Sequence, residues 1–233
     1  MGKRININGN AFQYKKIKTA VKDGYLTYLQ GDLNSYIFVS GWNGYRTTSG
    51  DVAGTIPENA PRIEVGLMGV PTMAGENIIF GMPENATSQT TAQPILYTVS
   101  RSGKFLALGK GASFPNGATI SDTDINKLNV IVFGSDKSYI NGDLVSDNSN
   151  MANQYRLSAY QYDGTCIFGG RYASNFKLSS VRVQYVKMYS GETLVHDLRA
   201  YVKDGVPCMK DEVDGTYYYN QGTGTFLMGE LME

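Results

Sequence analysis

Histidine and cysteine, the residue types behind many catalytic bases and metal ligands, are scarce in this chain. Its 233 residues include a single histidine and two cysteines, Cys166 and Cys208. A structural zinc site takes four ligands, usually from cysteine and histidine, so this chain is poorly supplied for one. Two cysteines are too few for a disulfide framework, and the sequence leaves open whether Cys166 and Cys208 pair.

An excess of charge and a long apolar run are missing as well. Lysine plus arginine and aspartate plus glutamate both total 21, so the formal net charge is zero. A nucleic-acid partner would be attracted by a surplus of basic residues, and we therefore predict none. No run approaches the roughly 18 apolar residues of a membrane-spanning helix, and the N-terminus lacks the apolar core of a secretion signal. We predict no membrane partner.

Glycine and tyrosine are abundant instead, with 27 and 17 residues. Glycine favours turns, and aromatic residues suit the half-buried surface of a sheet. Apolar and polar residues alternate in many short segments, for example in 35–42 and 181–189, and Asn141-Gly142 between two apolar runs predicts a hairpin turn. No long amphipathic helix is evident. The pattern predicts an all-β sandwich of short strands.

The basic residues are concentrated at the start of the chain. Six of them precede the first acidic residue, Asp23: Lys3, Arg4, Lys15, Lys16, Lys18 and Lys22. Lysines on an exposed edge strand prevent edge-to-edge aggregation, which is one interpretation. The alternative is that this segment is a docking arm for an acidic surface.

Three segments of the second half carry a family resemblance. They are Ser138–Val145, Ile167–Gly170 and Phe176–Tyr189. The first resembles the Tyr-Val-Asn-Gly hairpin of laminin-G-like domains. The second is similar to their Ile-Gly-Gly strand, and the third to the segment that crosses their sandwich. The resemblance implies a two-sheet antiparallel jelly-roll sandwich of the concanavalin A-like lectin and glucanase type.

The C-terminal tail resembles a more particular signature, carried by residues 192–198, 205–208, 215–220 and 222–226. A similar order of segments occurs in concanavalin A-like domains of bacteriophage virion proteins and gut-bacterial surface proteins. Two positions depart from it: His196 stands where arginine is usual, and Arg199–Tyr201 lacks the usual proline. The first fifty residues do not resemble the family. We therefore divide the chain into an N-terminal strand-rich segment, 1–50, and a concanavalin A-like jelly-roll domain, 51–233.

Candidate catalytic groups are few, and we predict that the protein is not an enzyme. Related glucanases place three carboxylates on one strand, and retaining hydrolysis needs two carboxyl groups about 5 Å apart. The nearest pattern here, Glu212-Val213-Asp214, lacks the third carboxylate. The sole histidine, His196, adjoins Asp197, but neighbours on a strand point to opposite faces, so we assign His196 a structural role.

A calcium site is an open alternative, and no other cofactor is predicted. Asp122 and Asp124 imitate the opening of an EF-hand loop, yet Lys127 replaces the required glycine and Phe133 replaces the final glutamate. The EF-hand interpretation therefore fails. The resemblance to jelly-roll lectins implies that loop carboxylates in another pattern can bind calcium.

The strongest ligand-site candidate in the sequence is the loop that holds Trp42, Asn43, Tyr45 and Arg46. Sugar rings stack on aromatic side chains, and amide and guanidinium groups bond to sugar hydroxyls. Amphipathic aromatic rings also serve protein interfaces. The alternative is that Trp42 ends a strand and fills the rim of the sandwich.

The resemblance of the C-terminal tail, together with the missing secretion signal and the basic N-terminal segment outside that resemblance, implies a non-enzymatic bacteriophage virion surface protein: a fibre, decoration or attachment component made in the host cytoplasm. Its expected partners are other virion proteins and host-surface glycans, and such proteins are usually symmetric homo-oligomers. The alternative is a carbohydrate-binding module of a bacterial surface or secreted protein, located outside the cell or on its surface. The fold by itself does not decide between them.

Overall fold

The chain is built from β-strands throughout the part that the structure describes. This computed structural model describes residues 4–7, 10–13, 22–40, 42, 61–69, 76–81, 96–99, 104–107, 118–119, 127–134, 137–147, 164–172 and 175–233. Within these ranges there is no helix long and apolar enough to cross a membrane.

Within the described ranges, twenty-one strands follow one another. Their bounds are β1 Arg4–Ile7, β2 Asn10–Gln13, β3 Gly24–Tyr25, β4 Leu29–Gln30, β5 Ile37–Ser40, β6 Pro61–Met68, β7 Glu76–Gly81, β8 Leu96–Val99, β9 Lys104–Ala107, β10 Ala118–Thr119, β11 Leu128–Phe133, β12 Lys137–Ile140, β13 Asp143–Asp147, β14 Gly164–Ile167, β15 Gly169–Tyr172, β16 Asn175–Leu178, β17 Arg182–Ser190, β18 Thr193–Lys203, β19 Val206–Asp211, β20 Tyr217–Tyr219 and β21 Leu227–Met228.

Two sheets and one separate hairpin result from the pairing of these strands. The first sheet runs β10-β9-β8-β7-β14-β5, with β15 paired to β7 and to β16. The second runs β13-β12-β11-β6-β17-β18-β19-β20, with β3, β4 and β21 attached beside β17 and β18. Strands β1 and β2 pair with each other. All described pairs are antiparallel except β15 with β7.

One hydrophobic core joins the two sheets. Buried side chains of both sheets form a single cluster, with Ile37, Phe80 and Ile167 on the first and Val65 and Leu198 on the second. Successive side chains of a strand point to opposite faces, so alternation buries one face of each sheet. These observations confirm the predicted all-β, two-sheet antiparallel sandwich.

The sandwich begins well before residue 51. Strand β5 pairs with β14, where Ile37 lies opposite Ile167. Strand β4 pairs with β17 in the second sheet, and β3 pairs with β18. Strands in the range 24–40, which the sequence division assigned to a separate N-terminal segment, therefore belong to both sheets. A docking role for the basic residues before them stays a prediction, since most of these residues lie outside the described ranges.

Residues 24–30, which we call the wedge segment, lie where β17 and β18 separate. The two strands pair up to Tyr185 and Arg199. Beyond this point Val183 of β17 lies opposite Leu29, and Tyr201 of β18 lies opposite Tyr25. The wedge segment thus supplies backbone partners to both strands, as buried peptide groups require.

The C-terminal segment, residues 227–232, covers the other side of the wedge segment. Strand β21 pairs with β4, and Leu231 forms an isolated bridge with Leu26. The amide of Met232 donates to the carbonyl of Tyr25 at 2.8 Å. Two segments that are far apart in the sequence are therefore adjacent strands of one sheet.

The Asp32 carboxylate links the chain just after the wedge segment to the chain just before the C-terminal segment. It accepts hydrogen bonds from the Asn34 amide at 2.9 Å, the Ser35 hydroxyl at 2.8 Å and the Thr225 amide at 2.6 Å. Burial raises the pKa of Asp32, but these hydrogen bonds outweigh it, and the net shift is downward. A Cβ atom at Gly224 would collide with this carboxylate, so the glycine of the tail is required by close packing.

We expect the substitution Gly224→Ala to lower the free energy of unfolding by roughly 1–3 kcal/mol, because it displaces Asp32 from a charge-assisted hydrogen bond. Urea denaturation measures the change, with Thr223→Ala as the matched control, since Thr223 is an exposed neighbour. Equal urea midpoints for the two variants would contradict this role of Gly224.

Candidate functional site

A cleft of about 460 Å³ opens where β17 and β18 separate. Its lining comes from the wedge segment, from both separating strands, from the turn after β19 and from residues 232 and 233. The lining residues are Tyr25, Leu26, Gln184, Arg199, Ala200, Glu212, Met232 and Glu233. Polar groups therefore converge beside apolar surface, which is the usual composition of a small-molecule site.

Tyr25 presents an aromatic ring that is held in place. Its hydroxyl donates to Glu212 Oε1 at 2.7 Å and accepts from Lys210 Nζ at 3.0 Å. The ring of Tyr201 packs edge to face against it, with centroids 5.1 Å apart. The side chain nevertheless stays 37% exposed. A ring fixed at its hydroxyl and its edge can stack on a ligand without losing much conformational freedom.

Arg199 is oriented by an acidic neighbour on its own strand. Its Nη2 donates to Asp197 Oδ2 at 2.8 Å, and its Nε lies 2.7 Å from Asp197 Oδ1. The guanidinium also lies over the ring of Tyr185, 4.9 Å from the centroid. A guanidinium carries five N–H groups, so donors remain for a ligand after Asp197 is bound.

The ring of Tyr185 packs against the guanidinium of Arg199, and a hydrogen bond holds this ring in place. Its hydroxyl donates to Glu64 Oε1 at 2.9 Å. The ring occupies the space above Gly66 of the neighbouring strand, where any Cβ atom would collide with it. Burial and the Glu64 carboxylate raise the pKa of Tyr185, which keeps the phenol protonated as a donor.

Glu212 and Lys210 are both charged at neutral pH. Burial raises the pKa of Glu212, but hydrogen bonds from Tyr25 and Lys210 outweigh it, and the net shift is downward. The pKa of Lys210 is raised by its hydrogen bonds to Tyr25 and Glu212. Their ion pair, at 2.9 Å, lies at the hydroxyl end of the Tyr25 ring.

His196 pairs with Asp211 across two strands, and not with its sequence neighbour. Its Nδ1 lies 2.6 Å from Asp211 Oδ2, and both residues are buried. The other oxygen of Asp211 accepts from the amides of Asp197 and Val213, both at 3.0 Å. Asp197 bonds to Arg199 on the opposite face, as strand alternation predicts. The buried pair thus holds the backbone of Asp197 and Val213, close in sequence to the cleft residues Arg199 and Glu212.

The structure places Trp42 in the core. The residue is 4% exposed, its ring packs edge to face on Phe80, and its Nε1 donates to the carbonyl of Tyr189 at 3.2 Å. Phe80 and Tyr189 belong to different sheets, so Trp42 bridges the rim and has no free face for a sugar. The other predicted residues, Asn43, Tyr45 and Arg46, lie outside the described residues. A ligand site at this loop stays a prediction.

The remaining candidate sites have separate outcomes. Asp122 and Asp124, considered for calcium, also lie outside the described ranges. Among the residues that the structure does describe, no group of three or more His, Cys, Asp or Glu side chains is placed to hold a metal ion. Cys166 and Cys208 are buried, free thiols in different sheets. Burial raises the pKa of Cys208 to about 11, which disfavours its reactive thiolate.

The residues that meet in the cleft were not identified from the sequence as a site. Tyr25, Arg199 and Glu212 occur in three strands or turns, and each fits an ordinary alternating pattern. Only the register between the wedge segment and β18, with Tyr25 opposite Tyr201, brings them together. The one available signal was the alternation that turns Arg199 away from the core.

The substitution Tyr25→Phe tests the electrostatics of the cleft. It removes a hydrogen bond that lowers the pKa of Glu212, so the pKa should rise toward its ordinary value. A lowered folded-state pKa gives stability that is present above the unfolded-state pKa and lost as the pH falls through the folded value. The variant therefore has less of this stability to lose on acidification. Carboxyl-detected NMR titration measures the shift, and an unchanged Glu212 pKa would contradict the geometry; Tyr219→Phe is the control.

No protein-family model matches this chain, and no curated protein matches it. Among solved structures, the chain is similar to the crystal structure at 1.50 Å of a candidate carbohydrate-binding protein from Bacteroides ovatus. The two have 14% sequence identity and a TM-score of 0.46. The similarity covers 90% of this chain and 61% of the other, so this chain spans about three fifths of the length of that protein.

Proposed function

We propose that the chain is a carbohydrate-binding module and that its ligand binds in the cleft between β17 and β18. The observation that supports this most is the exposed ring of Tyr25, fixed at its hydroxyl by Glu212 and Lys210. A sugar offers an apolar ring face and a rim of hydroxyl groups. The cleft offers an aromatic face that can stack on the apolar ring face of the sugar, and polar groups that can bond to its hydroxyls.

The polar groups suit hydroxyl recognition. Arg199 retains N–H donors beyond its contact with Asp197. Gln184 donates from Nε2 to the Thr27 carbonyl at 3.3 Å, which orients its amide and leaves its carbonyl oxygen as an acceptor. The size of the cleft, about 460 Å³, lies in the usual range for small-molecule sites, roughly 300–1,000 Å³.

Binding without hydrolysis is favoured by the state of the carboxylates. A glycosidase needs a carboxylic acid that stays protonated near neutral pH, which requires a raised pKa. Here the pKa of Glu212 is lowered, and that of nearby Asp214 is lowered by a hydrogen bond from the Thr216 amide. Both groups are therefore ionised, so neither is prepared to donate a proton to a leaving group.

The wider context of the module is part of the proposal. The two-sheet sandwich, taken with the segments that resemble laminin-G-like domains, supports a concanavalin A-like classification. A bacterial surface or secreted protein is the setting in which such a module would meet glycans. The virion surface role, with virion partners and a homo-oligomeric state, stays a prediction that no described feature favours.

A glycan array tests the proposal with two tyrosine variants. We expect the wild-type protein to bind a subset of oligosaccharides, and Tyr25→Ala to weaken that binding at least about tenfold, since loss of roughly 1.4 kcal/mol of stacking corresponds to this factor. The matched control is Tyr219→Ala: Tyr219 is 40% exposed on the same sheet but does not line the cleft.

Binding that both variants lose equally, or that neither loses, would contradict a site at Tyr25. Absence of binding by the wild-type protein across the array would overturn the proposed function itself. Thermal unfolding of each variant is recorded alongside, so that loss of folded protein is not mistaken for loss of a ligand contact.

A further inference from the structure

We infer that the cleft selects uncharged sugars and discriminates against sugars that carry a carboxylate. This inference rests on the proposed function, because it specifies which class of carbohydrate the cleft takes. It follows from the way in which the two cations at the cleft, Arg199 and Lys210, are already paired with carboxylates of the protein.

The two cations of the cleft each have a carboxylate partner. Arg199 meets Asp197 at 2.7 and 2.8 Å, and Lys210 meets Glu212 at 2.9 Å. Asp197 is largely enclosed, with its side chain 14% exposed. A ligand carboxylate that bound the remaining donors of Arg199 would compete with Asp197 for one counter-ion, and two anions would then lie close together in a poorly solvated position, which is unfavourable.

The balance of charge around the cleft is also unfavourable to an anion. Glu212 and Glu233 line the cleft and Asp197 lies behind Arg199, so three carboxylates accompany the two cations Arg199 and Lys210. A sugar carboxylate would be a fourth negative group in this space, where like charges a few Å apart repel and suppress the wrong ligand.

Two further lysines of the same sheet are also paired with carboxylates. Lys203 contacts Asp23 at 2.6 Å, and Lys187 contacts Glu64 at 3.4 Å. These two lysines are therefore already engaged by carboxylates of the protein. Hydroxyl groups need no counter-ion, since they can bond to the remaining donors of Arg199 and to the Gln184 oxygen without breaking an ion pair.

The test is a set of oligosaccharides of glucose, galactose and mannose, arrayed beside the same oligosaccharides oxidised at C6 to uronosides. Each pair differs only in a carboxylate in place of a primary alcohol. For every neutral compound that the protein binds, we expect the uronoside to bind at least about fivefold more weakly at low salt, the factor for about 1 kcal/mol of repulsion.

The variant Glu212→Gln adds a second measurement. Glutamine keeps an oxygen that accepts from Tyr25 and Lys210, but it removes one negative charge. We expect the preference for the neutral partner of each pair to shrink severalfold in this variant. Glu192→Gln is the control, because it changes the net charge equally at an exposed carboxylate outside the cleft, and its preference should match that of the wild-type protein.

The outcomes separate the two claims. Uronosides that bind as tightly as their neutral partners, or more tightly, overturn the inference while the proposed function stands. An equal effect of Glu212→Gln and Glu192→Gln also overturns it, since the discrimination would then not arise in the cleft. No binding of either member of any pair overturns the proposed function, and the inference with it.

Discussion

The rest of the structure depends on one constraint: β17 and β18 separate, and the wedge segment must pair with both of them. Two strands that part inside a sheet expose peptide groups that need new partners. The wedge segment meets this need on both sides: the Leu26 amide donates to the Ala200 carbonyl at 2.9 Å, while Leu29 lies opposite Val183. The gap that remains beside the wedge segment is the cleft. The site is therefore a consequence of how the wedge segment pairs with the two separating strands.

The same arrangement explains why the polar groups of the cleft are rigid. Tyr25 comes from the wedge segment, whereas Arg199 and Glu212 come from β18 and from the turn after β19. Each is held by a neighbour: Tyr25 by Glu212, Arg199 by Asp197, and the turn by the buried Asp211 beneath it. Ion pairs at a half-exposed surface add little stability, typically below about 1 kcal/mol each. Their main effect here is to fix side chains in position and to neutralise the cations that an acidic ligand would seek.

The sequence predicted much of the fold and little of the site, for physical reasons. Alternation identified the strand at 181–189, observed as β17, and the Asn141-Gly142 turn, where both residues have positive φ angles of 52° and 89°. These signals are local. The cleft depends on register between distant segments, which no short pattern encodes.

Phe168 is a second example: this buried aromatic residue has a φ of 67°, held by hydrogen bonds to Ile79 and Ser179, and only the surrounding sheet makes that conformation acceptable. Trp42 illustrates the converse, because an aromatic residue beside a polar loop fits a ligand site and a buried rim equally well.

The most direct measurement is chemical-shift mapping of the isotope-labelled protein titrated with a neutral oligosaccharide. A cleft ligand should shift the amide signals of Tyr25 and Leu26, the side-chain amide of Gln184 and the Nε–H of Arg199, in proportion to its saturation. The indole N–H of Trp42 and the amides of Asn43, Tyr45 and Arg46 should stay in place. Shifts confined to the Trp42 loop, with no change at Tyr25 or Arg199, would contradict binding in the cleft. They would place the ligand at the loop that the sequence predicted.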